Sequence, residues 1–264
     1  MFGFMASQKV AASLPAYTAN NATVFDGIND GLYVNRTTDL ITTTGSMISV
    51  WLKFNTLTGV RAIASCRTSG TYFTWWQINA GFFIRLGDDV VSVTVNRYRY
   101  NWNGTIAPFV NIGEWNHFIF SDNGSSFQFY LNGVAADFSE PQWTETNYDP
   151  SYPGSFLSSA APNDRLGVGA NYGSTNNVER MFDGEMAEFY LNAFQGLDLS
   201  VNNNIEKFIK NGKPVDLGSD GSLPTGSQPE FYLKNPFDTF QNNLGSYGNF
   251  TVSGALGEGT VPTL

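Results

Sequence analysis

The side chains in this sequence that could do chemistry are few, and their types narrow what that chemistry is. There is one cysteine, Cys66, and one histidine, His117. No intrachain disulfide can form, and a Cys/His zinc site cannot be built from a single copy of each. A Cys–His pair is available by arithmetic alone, because no nucleophile motif surrounds either residue. What remains is the chemistry of carboxylates, amides, hydroxyls and rings, in three groupings. The first is Glu185 and Glu188. Retaining glycoside hydrolysis needs two carboxyl groups about 5–5.5 Å apart, whereas a spacing of three puts these two on opposite faces of a regular strand. The second is a set of hard oxygen donors, Asp26, Asn29 and Asp30 in one turn and Asp183 in another. These suit calcium, the one cofactor the sequence leaves open, but they suit better Asx-turns that bond their own backbone. The third is aromatic. Tyr98, Tyr100 and Trp102 alternate along one strand face, with Arg97 and Arg99 on the other. Trp143, Tyr148 and Tyr152 sit on a long, Pro-containing segment, 137–165, of the kind that is usually functional or ordered by a partner. Such rings stack on sugars, fill subunit interfaces or fill a β-core, and all three uses stay open.

The elements that must position these groups are strands. The chain of 264 residues carries 22 Phe, 12 Tyr and 6 Trp but only 14% charged residues, a composition suited to half-buried pleated surfaces and tight turns. Its formal net charge of -9 is wrong for a phosphate backbone, so no nucleic-acid partner is expected. No apolar run approaches the roughly 18 residues of a membrane span, so no membrane insertion is expected. Alternating patterns predict strands at Ser46–Phe54, 72–78, 82–86, 90–95, 115–121, Phe127–Leu131 and 186–191. Phe127–Leu131 runs into Asn132-Gly133, a dipeptide that tolerates positive φ. One short helix is predicted late in the chain. Asp198 or Ser200 would cap it, Ile205, Phe208 and Ile209 would form its apolar face, and Asn211-Gly212 and Pro214 would end it. Within 1–22, Phe2, Phe4 and Met5 form an apolar arm poorly suited to a solvated tail, which points to assembly against a neighbour. His117 falls on a strand face with Trp115 and Ile119, which is expected to be a packed position. The organisation is therefore an arm at 1–22, a sandwich at 23–195, and a helix with an irregular extension at 196–264.

Several segments, taken in order, resemble a known family. V-F-D-G-I-N-D-G-L-Y-V near the start, S-M-I-S-V-W-L-K-F at Ser46–Phe54, E-W-N-H-F-I-F-S-D-N-G-S-S-F-Q-F-Y-L-N-G from Glu114, R-L-G-V-G from Arg165 and M-F-D-G-E-M-A-E-F-Y-L from Met181 resemble laminin-G-like domains. These belong to the concanavalin A-like lectin/glucanase group. The resemblance implies an all-β jelly-roll β-sandwich, a fold that hosts lectins, hydrolases and adhesion domains alike. Laminarinase-like members carry a Glu-x-Asp-x-(x)-Glu strand. Here Glu185-Met186-Ala187-Glu188 lacks the central Asp, and Ala187 also stands where relatives often place a calcium-binding Asp. The segment beginning L-D-L-S-V-N-N-N-I-E-K-F-I, with F-T-V-S-G-A-L further on, resembles the tail of laminin-G-like proteins of tailed bacteriophages. That implies a non-enzymatic virion structural protein in multiple copies, on head or tail, with other capsid or tail proteins as partners. The alternatives are a carbohydrate-binding adhesion protein, with Trp143, Tyr148 and Tyr152 stacking on host glycan, and more remotely a glycoside hydrolase.

Overall fold

The computed structural model describes residues 22–68, 71–78, 81–90, 93–103, 110–157, 165–172 and 178–264. Phe2, Phe4 and Met5 of the expected arm lie outside these residues. Most of the described strands form two large sheets, and six more pair off in three small two-stranded ones. The first runs, edge to edge, through Val134–Ala135, Phe127–Leu131, Trp115–Asp122, Ser46–Phe54, Asp183–Asn192, Thr23–Asp26 and Gly257–Glu258, and Phe231–Leu233 also pairs with Asp183–Asn192. The second runs through Trp143–Tyr148, Val93–Trp102, Gly81–Val90, Thr71–Ile78, Val60–Thr68, Arg165–Val168, Gly31–Asn35 and Thr251–Ser253. The neighbouring strands pair antiparallel. The architecture is an all-β sandwich of the jelly-roll kind.

Alternation along each strand builds the core. In Ser46–Phe54, Ile48, Val50, Leu52 and Phe54 enter the space between the sheets, where they meet Phe73, Trp75, Phe82, Phe118 and Phe120. The opposite face of that strand is also buried. Met47 and Trp51 join Trp115, Ile119, Ala187 and Tyr190 in a second cluster, closed by Leu199, Ile205, Phe208, Ile209, Leu217 and Tyr232. The segment 196–264 thus covers the outer face of the first sheet and supplies edge strands to both sheets. This explains why every residue of Trp115–Asp122 is buried, where a half-solvated strand would alternate.

Asn132 and Gly133 adopt φ of 54° and 81° and turn Phe127–Leu131 into Val134–Ala135, as the dipeptide predicts. Two expectations are corrected. The late helix is a single turn, Asn202–Ile205, and Asn211-Gly212 does not stop it. With φ of 53° and 69°, those residues turn a small hairpin of Ile209–Lys210 and Lys213–Pro214. Phe208 and Ile209 are buried through that hairpin and not through a helix face. The segment 137–165, read as a long connection, contains two strands. Trp143–Tyr148 extends the second sheet, and Gly154–Leu157 pairs with Leu40–Thr42.

Candidate functional site

The aromatic residues singled out in the sequence converge, but inward. Tyr98, Tyr100, Trp102 and Trp143 are 2%, 6%, 6% and 9% exposed, so of the three uses left open by the sequence these rings mainly serve the core. Their shared face is the core face of the sheet edge. Tyr100 stacks on Phe127 with centroids 4.3 Å apart, and Trp102 meets Trp143 edge-on at 5.1 Å. Burial, with the Asp122 carboxylate nearby, pushes the Tyr100 hydroxyl up to about 12. The two arginines do not share a face either. A register shift between Leu86 and Gly87 breaks the alternation beside Arg97. Arg97 is wholly buried, while Arg99 remains outside, bonded to Glu145 at 2.7 Å and lying over the Phe83 ring.

Arg97 meets Asp122 in an ion pair in which neither side chain is exposed. Its Nη1 donates to the carbonyls of Pro150 and Tyr152, and the Tyr148 hydroxyl donates to Asp122 Oδ1 at 2.6 Å. Tyr148 and Tyr152, sugar platforms under the carbohydrate-binding alternative, help to tie the edge strand to the sandwich, Tyr148 through its hydroxyl and Tyr152 through its carbonyl.

Two sheet edges meet beside this anchor, and a cavity of about 340 Å³ opens between them. Phe82 and Trp102 from the second sheet and Phe129 and Leu131 from the first form its walls, with Trp143 between them. Val134, Ala135 and Ala136 form one lip, and Asn132, Asp137 and Glu140 supply polar groups. Among the described residues, no Lys or Arg lines it. Asp137 is exposed, and its Oδ1 accepts from both the N–H and the hydroxyl of Ser139. Those bonds hold the Asp137 carboxyl below its ordinary range. Asn132 Oδ1 accepts from the His117 N–H, and its Nδ2 donates to Asn116 Oδ1, so the amide is held in place. A second cavity of about 520 Å³, with Asn111, Glu114, Trp115 and Asn116 in its lining, reaches the other side of Asn132. Of the residues chosen from the sequence, Trp102 and Trp143 line the first cavity. Phe82, Phe129, Asn132, Asp137 and Glu140 were missed as site residues, and only the Asn132-Gly133 turn was visible as a local signal.

The other candidates have structural partners. Asp26 Oδ1 accepts from the N–H groups of Ile28, Asn29 and Asp30, which hold its carboxyl below the usual range. Asp30 accepts from the N–H groups of Asp26 and Ala255, and Asp183 from the Asn55 amide. Among the described residues, no group of three or more His, Cys, Asp or Glu is arranged to hold a metal ion. Glu185 and Glu188 do not lie on opposite faces as the regular spacing implied. A register shift between Ala187 and Tyr190, with Glu188 at φ 52°, resets the alternation. Both carboxylates therefore work on the outer face, Glu185 with Lys53 and Thr260 and Glu188 with the Tyr232 hydroxyl. Glu185 and Glu188 are only 9% and 4% exposed, and their contacts help to dock the final segment. His117 is fully buried beside Trp51, with Nε2 2.8 Å from Ser49 Oγ. Burial pulls its pKa down to about 3, so the ring is neutral.

No protein-family model and no curated protein matches this sequence. Solved structures match its fold. One is a heptameric SAP-like pentraxin from Limulus polyphemus, with a TM-score of 0.51 and 12% identity, over 93% of this chain and 98% of that one. Another is a putative carbohydrate-binding protein from Bacteroides ovatus, with a TM-score of 0.57 and 12% identity, over 92% of this chain. The match spans 60% of that longer chain. Domains LG4-5 of the mouse laminin alpha1 chain match 69% of this chain with a TM-score of 0.43 and 15% identity. For the pentraxin and the Bacteroides ovatus protein, at 12% identity, the likeness is one of fold.

Proposed function

We propose that this chain is a non-enzymatic carbohydrate-binding domain that seats a sugar in the cavity at the open edge of the sandwich. The observation that carries this reading is the lining. Indole and phenyl walls suit the C–H faces of a pyranose, while a fixed amide and two carboxylates suit its hydroxyls. At about 340 Å³ the cavity is at the small end of ligand sites, which run from about 300 to 1,000 Å³. The Bacteroides ovatus carbohydrate-binding protein, similar in fold, supports the reading. The test is a broad glycan array probed with the full chain, with and without calcium, followed by calorimetry on any hit. Val134 stands on the lip and is 69% exposed, so Val134→Trp can obstruct the mouth without entering the core. Loss of binding in that variant at unchanged stability is expected. An array that stays blank in both conditions would sink the reading.

Where the domain works is a separate proposal. The phage-like residues of the final segment favour a virion protein in multiple copies, on head or tail. Cryo-EM of intact particles tests this, since the chain must account for density on the capsid or the tail. A decorating or adhesive virion protein is compatible with a sugar site.

A further inference from the structure

Asn132 borders two cavities. On one side is the apolar cavity of about 340 Å³ proposed above as the sugar seat, and on the other is the cavity of about 520 Å³. Each volume lies within the range of about 300–1,000 Å³ usual for small-molecule sites. Because one residue lines both, only its width parts them at that point.

The two linings differ in kind. Phe82, Trp102, Phe129 and Leu131 give the first cavity its apolar faces. Asn111, Glu114, Asn116 and Thr263 line the second, with Trp115 as its aromatic wall. Asn111 and Glu114 are exposed, and Asn111 Nδ2 donates to Glu114 Oε2 at 2.7 Å. Asn116 is buried. Its Nδ2 donates to the Glu114 carbonyl, and its Oδ1 accepts from Asn132 Nδ2 at 3.1 Å. The Asn132 main-chain N–H donates to the His117 carbonyl at 2.8 Å. Asn132 and the second lining thus form one bonded row, and groups already ordered lose little freedom when a ligand arrives.

Neither side suits an acidic sugar. Asp137 and Glu140 on the first side and Glu114 on the second are acceptors, and among the described residues no Lys or Arg lines either cavity. Carboxylates accept from hydroxyls, which every unit of a neutral sugar chain carries. A single hexose in the first cavity would leave the polar row beyond Asn132 unused.

From this geometry we infer that the ligand is a neutral oligosaccharide that passes over Asn132, with one unit against the rings of the first cavity and the next hydrogen-bonded to Asn111 and Glu114 in the second. The inference rests on the first cavity being the sugar site, and the test separates the two.

The full chain is titrated with glucose, mannose and galactose, with their β-linked di-, tri- and tetrasaccharides, and with any array hit beside its component monosaccharides. Binding is read by calorimetry, and by ligand-detected NMR for the monosaccharides. Val134→Trp obstructs the first cavity. Asn111→Ala/Glu114→Ala strips the exposed polar groups from the second and keeps the Glu114 N–H bond to the Asn111 carbonyl. Thr263→Trp, at another exposed position of that lining, obstructs the second cavity should the double variant lose its fold. The expected result is one site per chain and a disaccharide bound on the order of tenfold or more above its monosaccharide, from one or two added hydrogen bonds. The second-cavity variants bring the disaccharide down to the affinity of the monosaccharide and leave the monosaccharide unchanged, whereas Val134→Trp weakens both. Equal affinity for the two lengths overturns the inference while leaving the sugar site standing. Two equivalents of monosaccharide per chain, one lost in each variant, also overturns it, because the cavities then act as separate seats. A gain with length that survives the second-cavity variants overturns the path over Asn132. If no sugar binds here or on the array, the site reading falls and the inference with it.

Discussion

Asp122 carries more of the site than any residue that lines it. It accepts from Arg97, from the Tyr148 hydroxyl and from the Gly124 N–H, in a place where neither Arg97 nor Asp122 reaches water. Removing one partner of a buried pair leaves a charge without compensation, at a cost of about 3–5 kcal/mol. Asp122→Ala is therefore expected to lose that much stability in urea unfolding, and the double variant Arg97→Met/Asp122→Leu to lose clearly less. A single-variant loss below about 1 kcal/mol would mean that the pair is solvated. His117 makes a second prediction. Its folded pKa of about 3 lies below the ordinary 6.5. Between those values the unfolded chain binds a proton that the folded chain refuses, so stability is retained above about pH 6.5 and falls with decreasing pH at about 1.4 kcal/mol per unit. His117→Gln is expected to flatten the acid limb between about pH 6 and 4 by that slope. Parallel limbs in the two proteins would contradict a buried neutral imidazole. The packing of His117 was legible from its strand parity with Trp115 and Ile119. The role of Asp122 was not, because its partners come from a bulge beside Arg97 and from a strand 26 residues downstream, at Tyr148.

At the scale of elements, sequence periodicity succeeded where a strand's environment is repetitive and failed where it is interrupted. Ser46–Phe54 and Phe127–Leu131 have the bounds that alternation predicts, since period-two patterning and turn residues are local signals. The bulge in Asp183–Asn192 left no such signal. Its extra residue is Glu188, a type with no special liking for positive φ, held at 52° by the surrounding sheet and the Tyr232 hydroxyl. The segment 196–264 was equally hard to read, because its apolar residues pack as a one-turn helix, a hairpin and irregular chain. That packing gives an expectation of its own. Phe208 is 2% exposed and meets Tyr190 edge-on at 5.5 Å. Phe208→Ala is expected to cost about 3–5 kcal/mol and to red-shift tryptophan emission as Trp51 and Trp115 gain water. An unchanged spectrum at unchanged stability would show that the final segment is not closing this face.

Among the described residues, one face of the first sheet is covered by the chain's own final segment, and a cavity opens where edges of the two sheets meet, which is the candidate site. A closed sandwich could be foreseen from composition and alternation, but the opening could not. Its lining brings together Phe82, Trp102, Phe129, Leu131 and Trp143 from strands far apart in sequence, a juxtaposition that no local pattern encodes. Charge at the same scale makes the last prediction. Among the described residues the cavity lining holds no Lys or Arg, and the net charge is -9, so the proposed sugar recognition would work through packing and short-range hydrogen bonds. Salt screens charges more than a Debye length apart, about 10 Å at 0.1 M, and leaves short-range contacts almost untouched. Affinity for a neutral glycan is therefore expected to change by less than about twofold between roughly 0.05 and 0.5 M salt. Sulfated or sialylated versions of the same glycan are expected to bind more weakly at low salt and to recover part of the difference as salt rises. Calorimetry across that range decides it, and tight, salt-sensitive binding of a sulfated glycan would place recognition on a surface other than this cavity.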